Sequence, residues 1–478
     1  MGRPQSGVVK RRMPRSQRVR DPVHNLIEFD DTEFEQMLWR VLQTRPMQRL
    51  RRVKQLGFSE FVYPGASHTR LAHSVGVFNT ARQLAGVVHN RIQSRFDIRE
   101  AQIAVAAALV HDIGHGPFSH AFEDALKKIE VAKKHELRTR TLLNLDEMRE
   151  AFDDFPEFPE AISDLIEGEF PKNIYASIVS SQFDADRLDY MRRDRLMSGT
   201  QQSGIDFDWL ISNLDVAKVP VDQDGKIIRK ADTLVIREKA VVAAEGYIFS
   251  LLYLYINVYF HKTTRGLEKI FSALIERVAR LVRDGAADKT GLDSRHPLVK
   301  FLSDPDNPEH FLALDDAVIL GSLSLMAEAE DAAVAELATR IRDRRVYKCV
   351  DVTQRMFDKF GLPRESDQSA TSERIAEVAK RVAKVGELVA ERGLIRTDAS
   401  AVPPVLEDTA PRSPYKRASE SSRRLSRIHV LAADGKLHDL ADMSPAVNAL
   451  GDYKAYRLYA RGDSDVEAIE AIIKEVSQ

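Results

Sequence analysis

The chain has 478 residues, 44% of them hydrophobic, so it can bury a substantial core, and length alone favours two or three domains. Its 70 basic and 72 acidic residues nearly cancel, which argues against a protein that coats nucleic acid through its overall charge. The single cysteine, Cys349, excludes an intramolecular disulfide framework and a cysteine-based zinc cage, and it fits a reducing, cytoplasmic compartment.

Residues 1–20 are rich in arginine and lysine and contain neither an acidic residue nor the hydrophobic region of a secretory signal. We expect a flexible, solvated tail there, with a nucleic-acid- or phosphate-binding arm as the alternative. Apolar residues then recur at three- and four-residue steps, which is typical of amphipathic helices. The predicted helical segments are 32–56, 68–96, 99–113, 119–131, 134–144, 183–197 and much of 236–284.

The apolar run 247–260 is shorter than the ~20 residues that cross a bilayer, so it predicts a buried helix and no membrane partner. After residue 345 short alternating runs indicate strands. We therefore predict a mainly α fold with a small α+β C-terminal appendage. Its expected parts are a helical core over 21–345, a strand-plus-helix extension over 346–399, a flexible linker or loop over 400–427, and a small α+β region over 428–478 with a hairpin turn at 433–435.

One segment places polar residues at the end of an apolar helix. His111, Asp112, His115 and His120 follow directly on the apolar run 104–110. Burying an imidazole beside a carboxylate is costly unless both groups are paired or bind a metal. These side chains are suitable ligands for Mn, Fe, Zn or Mg. The segment therefore indicates a divalent metal site.

A firmly held ion needs further protein ligands, and His73 and Asp186 are candidates on other helices. Two imidazoles and two carboxylates would leave positions open for water and a phosphate oxygen. Asp184 and Asp189 are alternatives to Asp186. We expect Asp184 to cap a helix and Asp189 to be an ion-pair partner.

The order His73, His111-Asp112, Asp186 resembles the pattern of the HD phosphohydrolase superfamily, which has an α-helical fold. The closer resemblance is to the deoxynucleoside triphosphate (dNTP) triphosphohydrolases, the dGTPase and SAM-and-HD-domain branch. It extends over roughly residues 20–355 and is carried by segments 21–24, 48–51, 54–57, 63–70, 111–120, 180–194 and 259–262.

The resemblance implies that His73, His111, Asp112 and Asp186 hold a divalent ion. It also implies a reaction that cuts a dNTP between the α-phosphate and the 5′ oxygen, giving a deoxynucleoside and inorganic triphosphate. The family places further side chains around the scissile bond: His115, His120, Glu123 and His135. We expect His120 to donate the proton and the Glu123–His135 pair to orient it. Some relatives carry Asp in place of Glu123.

The resemblance further implies a set of substrate-binding residues. These are Gln55, Leu56, Arg70, Arg187, Tyr190, Asp194 and Tyr259. The two arginines are expected at the phosphates. Leu56 and Tyr190 would crowd the place of a 2′ hydroxyl, which favours deoxyribose. Gln55, Asp194 and Tyr190 would contact the sugar. Tyr259 is expected near the base, although core packing explains it equally well.

Relatives assemble into dimers, tetramers or hexamers, so a homo-oligomer is implied. Gln48 and Arg51 match activator-site residues of eukaryotic relatives, but Gln43 replaces their guanine-reading Asp. A nucleotide activator is therefore possible, whereas a GTP-type requirement is not expected. Two other functions remain as alternatives: an HD-type hydrolase of another nucleotide or phosphoester, such as an alarmone, and a nucleotide- or nucleic-acid-binding module.

Overall fold

The computed structural model describes residues 16–131, 133–168, 173–202, 204–223, 226–361, 368–395, 401–413, 415 and 427–478. Most of the basic tail and part of the predicted linker lie outside the described residues. Within them the chain is mainly helical and has three small sheets, so the predicted fold class is confirmed.

The helices follow one another through most of the chain. They are α1 Glu33–Leu42, α2 Arg45–Arg49, α3 Arg70–Ile92, α4 Ile98–Val110, α5 His120–Lys128, α6 His135–Leu143, α7 Asp146–Ala151, α8 Phe158–Glu167, α9 Ala176–Val179, α10 Ala185–Ser198, α11 Phe207–Ser212, α12 Val241–Leu254, α13 Lys262–Arg283, α14 Pro297–Ser303, α15 Pro308–Leu312, α16 Asp316–Ala327, α17 Ala332–Arg342, α18 Val352–Phe360, α19 Gln368–Glu391, α20 Leu440–Met443, α21 Pro445–Ala449 and α22 Asp463–Val476. The strands are β1 Gln17–Asp21, β2 Asn25–Phe29, β3 Leu214–Gln223, β4 Lys226–Arg237, β5 Lys348–Asp351, β6 Val405–Arg412, β7 His429–Leu431, β8 Leu437–Asp439 and β9 Tyr453–Ala460.

Short polar side chains mark the starts of the helices that carry the site. Thr69 caps α3 and Asp97 caps α4, each by accepting a hydrogen bond from a backbone N–H of the first turn. Asp184 caps α10, with its Oδ1 2.8 Å from the Arg187 backbone nitrogen, so the predicted cap is confirmed. Gly76 lets α3 approach α10 closely, because a Cβ there would lie 2.1 Å from Asp189 Oδ1.

One helical stretch, Glu238–Tyr259, is long and apolar enough to cross a membrane by length and composition. It includes α12 and the π-helical turn Tyr255–Tyr259 that continues it. Residues such as Tyr247 and Leu251 belong to the main core, while Val242 is exposed, so the predicted buried helix is buried on one side only. Its last turn lines the cavity described below.

Each of the three sheets joins distant parts of the chain or closes a hairpin. β1 and β2 pair with each other, the second sheet has the order β3-β4-β7-β8, and the third has the order β5-β9-β6. The predicted hairpin turn at 433–435 connects β7 and β8, and β7 runs parallel to β4. The predicted C-terminal region therefore contributes to two sheets. Its strands β7 and β8 extend the β3-β4 hairpin of the helical core, and its strand β9 lies in the third sheet.

Part of the segment predicted as a linker over 400–427 is strand β6, so that part of the prediction is wrong. β6 pairs antiparallel with β9 from Val405↔Ala460 to Arg412↔Tyr453. Leu406, Asp408 and Ala410 alternate inward, a pattern that the surrounding serine, proline and charge conceal in the sequence. The β5-β9-β6 sheet packs with α18, α19 and α22 around a second, smaller hydrophobic core.

Candidate active site

Four side chains from three helical segments meet at one point in the main core. His73 lies on α3, His111 and Asp112 follow the last turn of α4, and Asp186 lies in the first turn of α10. His73 Nε2 is 2.9 Å from Asp186 Oδ1 and 3.8 Å from Asp112 Oδ2. His111 Nε2 is 3.3 Å from Asp112 Oδ1 and 3.7 Å from Asp186 Oδ1. The structure thus brings together the four residues predicted to bind a metal.

The imidazoles of His73 and His111 both turn Nε2 toward the centre of these four side chains. The Nδ1–H of His73 donates to Asp189 Oδ2 over 2.9 Å, and the Nδ1–H of His111 donates to the Ala108 carbonyl over 2.9 Å. Such bonds leave the Nε2 lone pair of a neutral imidazole for a metal. The buried His111 Nε2 makes no hydrogen bond within the described residues, although both carboxylates are near it. The donor set therefore fits a divalent cation.

Asp189 is an ion-pair partner, as predicted, and it also orients His73. Its carboxylate is fully buried and accepts hydrogen bonds from Arg193 Nε at 2.8 Å and from His24 Nε2 at 2.7 Å. Burial alone would raise the pKa of Asp189, but Arg193 and the two histidines hold it well below its usual value. The carboxylate therefore stays charged and fixes the imidazole of His73.

Protons and one arginine offset the negative charge of the carboxylates in this group. Burial opposes the charged form of His73, yet the carboxylates of Asp186 and Asp189 raise its pKa to about 10. Burial would raise the pKa of Asp112, but Arg70 and the neighbouring histidines hold it well below its usual range. Arg70 donates to Asp112 Oδ2 and, over 2.8 Å, to Ser119 Oγ.

The residues predicted to act on the scissile bond form a second cluster beside the first. His115 Nδ1 is 2.8 Å from Glu123 Oε1, and its ring stacks on His135 with centroids 4.1 Å apart. Burial, with the charge of Arg70, lowers the pKa of His115 to about 4, so this ring is neutral near neutral pH. His120, in contrast, has a side chain that is 72% exposed at the cavity. His120 is therefore the most exposed imidazole of this cluster.

A strained turn carries His120 to this position. Phe118 and Ser119 both have φ of 52°, a conformation that costs about 1–3 kcal/mol for such residues. The Phe118 N–H donates to Asp316 Oδ1 over 2.8 Å, which holds the turn from α16. Gly114 allows the close approach of α6, because a Cβ there would lie 2.0 Å from the His135 carbonyl oxygen.

A cavity of about 420 Å³ opens between the two clusters and the end of the Glu238–Tyr259 helix. It is lined by all seven residues predicted to bind substrate, Gln55, Leu56, Arg70, Arg187, Tyr190, Asp194 and Tyr259, together with His120 and Asp186. The Gln55 N–H bonds the His68 carbonyl at 3.0 Å, which places this loop beside α3. Tyr259 Oη donates to Asp194 Oδ2 over 2.7 Å, so Tyr259 belongs to the cavity wall and not only to the core.

Several residues of the cavity wall were not predicted from the sequence. They are Ser119, Tyr255, Thr264, Arg265 and Glu268. The last three share one face of α13, which begins two residues after the apolar run 247–260. The sequence signal for these three residues was their spacing by one and three positions, which places them on one face of the helix. Polar groups on the inner face of an amphipathic helix need a polar environment, such as a cavity.

Comparison with known proteins agrees with this fold and site. The sequence pattern of the HD domain matches residues 70–196, which contain all four residues of the metal group. The fold is thus that of an HD-domain phosphohydrolase. The chain belongs to the HD-domain family that includes the uncharacterized protein YwfO of Bacillus subtilis, to which it is 30% identical over 450 residues, 91% of each chain.

More distant similarities reach named enzymes and a solved structure. The chain is 29% identical over 392 residues to the deoxynucleoside triphosphate triphosphohydrolase SAMHD1 homolog of Dictyostelium discoideum, covering 79% of this chain and 66% of that protein. It is 28% identical to mouse SAMHD1 over 412 residues, 78% of this chain and 59% of that one. A phosphohydrolase of Bacteroides thetaiotaomicron has the same fold, with a TM-score of 0.68 over 93% of this chain and 99% of that chain at 24% identity.

Proposed function

We propose that the chain is a metal-dependent dNTP triphosphohydrolase, which converts a dNTP into a deoxynucleoside and inorganic triphosphate. The observation that supports this function is the cavity beside the metal group, whose wall carries all seven predicted nucleotide-contacting residues and His120. Its volume of about 420 Å³ lies in the range of small-molecule sites. The relatives named as deoxynucleoside triphosphate triphosphohydrolases support the same substrate class.

The ligands would be His73, His111, Asp112 and Asp186, and the ion they hold, Mn, Fe, Mg or Zn, would supply Lewis-acid activation of water and phosphate near neutral pH. Arg70 and Arg187 would neutralise charge on the phosphate chain as its bond to the sugar breaks. Water adds to the α-phosphorus, the bond from phosphorus to the 5′ oxygen breaks, and His120 gives that oxygen a proton. The Glu123–His135 pair would orient the donor, with the neutral ring of His115 beside Glu123.

The same cavity wall supports a preference for deoxyribose. Leu56 and Tyr190 come from two different segments of the chain. Both residues line the cavity, together with Gln55 and Asp194. If the sugar lies between them, an added 2′ hydroxyl meets apolar surface and a ring edge instead of a hydrogen-bond partner. We therefore propose that ribonucleotides are poor substrates. The predicted homo-oligomer, nucleotide activator and nucleic-acid-binding tail stay predictions.

The reaction can be tested by its products in water enriched in oxygen-18. The purified chain, with Mn²⁺ or Mg²⁺, is incubated separately with each dNTP, and the products are separated and weighed by mass spectrometry. We expect unlabelled deoxynucleoside and triphosphate that carries one oxygen-18 atom. Asp112→Ala should abolish both products. Release of monophosphate or pyrophosphate, or label in the nucleoside, would contradict the proposed reaction, and turnover of an alarmone alone would favour the alternative hydrolase.

A further inference from the structure

A row of aromatic rings extends along the cavity wall, beginning beside the metal group. Tyr190 follows Asp186 by one turn of α10, and the centroid of its ring is 6.2 Å from that of Tyr259. The ring of Tyr259 is 4.9 Å from that of Tyr255, which in turn is 5.4 Å from that of Phe260. All four rings line the cavity. Phe260 is the ring of this row that is separated from Asp186 by the most contacts.

Strand β9 of the C-terminal region holds Phe260 in place. The ring of Tyr453 stacks on that of Phe260, with an angle of 17° between the planes and centroids 5.9 Å apart. Arg457 is buried and donates from Nη1 to the Phe260 carbonyl. Arg457 is itself fixed, because it donates to Asp351 Oδ2 over 2.9 Å and to Tyr453 Oη over 3.1 Å. Tyr453 therefore covers one face of the Phe260 ring, and the contact of this ring with the cavity falls on its remaining surface.

The turn that ends at Phe260 has an irregular backbone. Residues Tyr255–Tyr259 are π-helical, and the Phe260 N–H donates to the Tyr255 carbonyl over 2.8 Å. Such turns are rare and frequently lie at functional sites. On another side of the turn, Tyr63 donates from its hydroxyl to the Asn257 carbonyl. Two distant segments of the chain thus fix this part of the cavity wall.

The proposed function sets the direction in which a bound dNTP lies. Its phosphates would meet the metal group, Arg70 and Arg187, and the sugar separates the base from the phosphates. The base would therefore point away from the metal group, along the row of rings. A flat aromatic ring is a suitable partner there, because every base has a π face that stacks on such a ring.

We propose that Phe260 is the surface on which the base stacks, and that Tyr453 and Arg457 are positioning residues that hold it. This inference rests on the proposed function and extends it to the base. Stacking favours any base over a bare sugar, and the larger ring of a purine overlaps more than that of a pyrimidine. Strand β9 would therefore take part in substrate binding without touching the substrate.

Substrates that differ only in the base test the role of Phe260. Phe260→Ala should lower kcat/KM by roughly 5- to 150-fold for dATP, and by less for dCTP. The base-free analogue 1,2-dideoxyribose 5-triphosphate should react as it does with the wild type. The loss for dATP should appear in KM, because a stacked base contributes equally to the bound substrate and to the transition state. Phe260→Tyr, which keeps a flat ring, should restore kcat/KM.

The positioning role can be tested by variants outside the cavity wall. Tyr453→Leu should raise KM for dATP, by less than Phe260→Ala does, and should leave KM for the base-free analogue unchanged. Arg457→Met should have the same base-dependent effect, whereas Tyr453→Phe keeps the stacked ring and should behave as the wild type. Tyr253→Leu, which removes an exposed tyrosine of the Glu238–Tyr259 helix, is the matched control and should change neither KM.

Circular dichroism and a thermal melt show whether each variant is folded. If Phe260→Ala is not, Phe260→Leu replaces it, because leucine keeps apolar volume without a π face. Equal losses for dATP and the base-free analogue, or no loss for either, would overturn the stacking. An unchanged KM for dATP in both Tyr453→Leu and Arg457→Met would overturn the positioning role of β9.

Failure of the proposed function can be told apart from failure of the stacking. A wild type that releases no triphosphate contradicts the proposed function alone. Equilibrium dialysis of dATP against metal-free protein then tests the stacking without turnover. Weaker binding to Phe260→Ala than to the wild type would support it, and equal binding would overturn it.

Discussion

The imidazole of His73 links metal binding to pH. Its pKa of about 10 in the metal-free fold lies above the ordinary value of about 6.5, so the ring carries a proton at neutral pH. This shift stabilises the metal-free fold below about pH 6.5, and the contribution is lost as the pH rises through about 10. A cation that binds Nε2 must displace the proton, so we expect its apparent affinity to rise with pH over this window.

The displaced proton can be counted by isothermal titration of Mn²⁺ into metal-free protein at neutral pH, in buffers with different enthalpies of ionisation. We expect release of roughly one proton for each bound ion. His89→Ala should release the same number, because that ring lies outside the metal group. An enthalpy that does not depend on the buffer would contradict the assignment of His73 as a protonated ligand.

His120 is assigned the proton donor because it is the exposed histidine of its cluster, and this role makes a prediction about the leaving group. His120→Ala should lower kcat for a dNTP by roughly 10²–10⁴-fold. The loss should be far smaller for an analogue with sulfur in place of the bridging 5′ oxygen, since a thiolate leaves without a proton. Equal losses on the two substrates would instead indicate that His120 only binds or positions the nucleotide.

At the scale of elements, strand β6 supports the cavity wall through one buried carboxylate. Asp408 accepts hydrogen bonds from Arg265 Nε at 3.1 Å and is 3.1 Å from Lys269 Nζ, both on α13. Its pKa is held below the usual value by these two cations against the opposing effect of burial. The strand therefore fixes the register of α13, which presents Arg265 to the cavity.

Asp408→Asn should lower the free energy of unfolding by on the order of 3 kcal/mol, because it removes the buried carboxylate that Arg265 and Lys269 share and leaves Arg265 only its pairing with Glu268. We also expect a higher KM for the dNTP, since Arg265 is no longer tied to β6. Urea unfolding and steady-state kinetics measure the two effects. Thr409→Ala, on the exposed side of the same strand, is the control and should change neither. An unchanged unfolding midpoint in Asp408→Asn would contradict this role of β6.

The helices were predictable because their signals are local, whereas strand pairing and parts of the site depend on distant segments. The start of α10 is defined by its own cap, Asp184. The β4–β7 pairing joins Ile236 to Val430, and no local pattern marks such a partner. Asp186 and His73 are 113 positions apart, and their residue types and family resemblance indicated them. Arg265 was missed because its partner, Asp408, lies 143 positions away in a segment whose composition resembles a linker.

At the scale of the whole molecule, the main core draws on both ends of the chain. Ile27, Leu440 and Tyr459 are buried in the same hydrophobic cluster. The ring of Tyr459 packs on α13 so closely that a Cβ at Gly266 would lie 2.9 Å from it. Strand β4 pairs with β7, which the C-terminal region supplies. The C-terminal region is thus part of the fold of the helical core, although the sequence suggested a boundary near residue 345.

This arrangement predicts that a fragment of residues 1–345 does not form an active enzyme. Removing residues 346–478 exposes the face of α13 that Tyr459 covers and leaves Arg265 without Asp408. Each large buried side chain that is lost lowers the stability of the fold by about 1.5–3 kcal/mol. A few such losses equal the entire stability of a typical domain, about 5–15 kcal/mol. Size-exclusion chromatography and circular dichroism should show aggregation or loss of helix. A soluble, fully active 1–345 fragment would show that the core folds without the appendage.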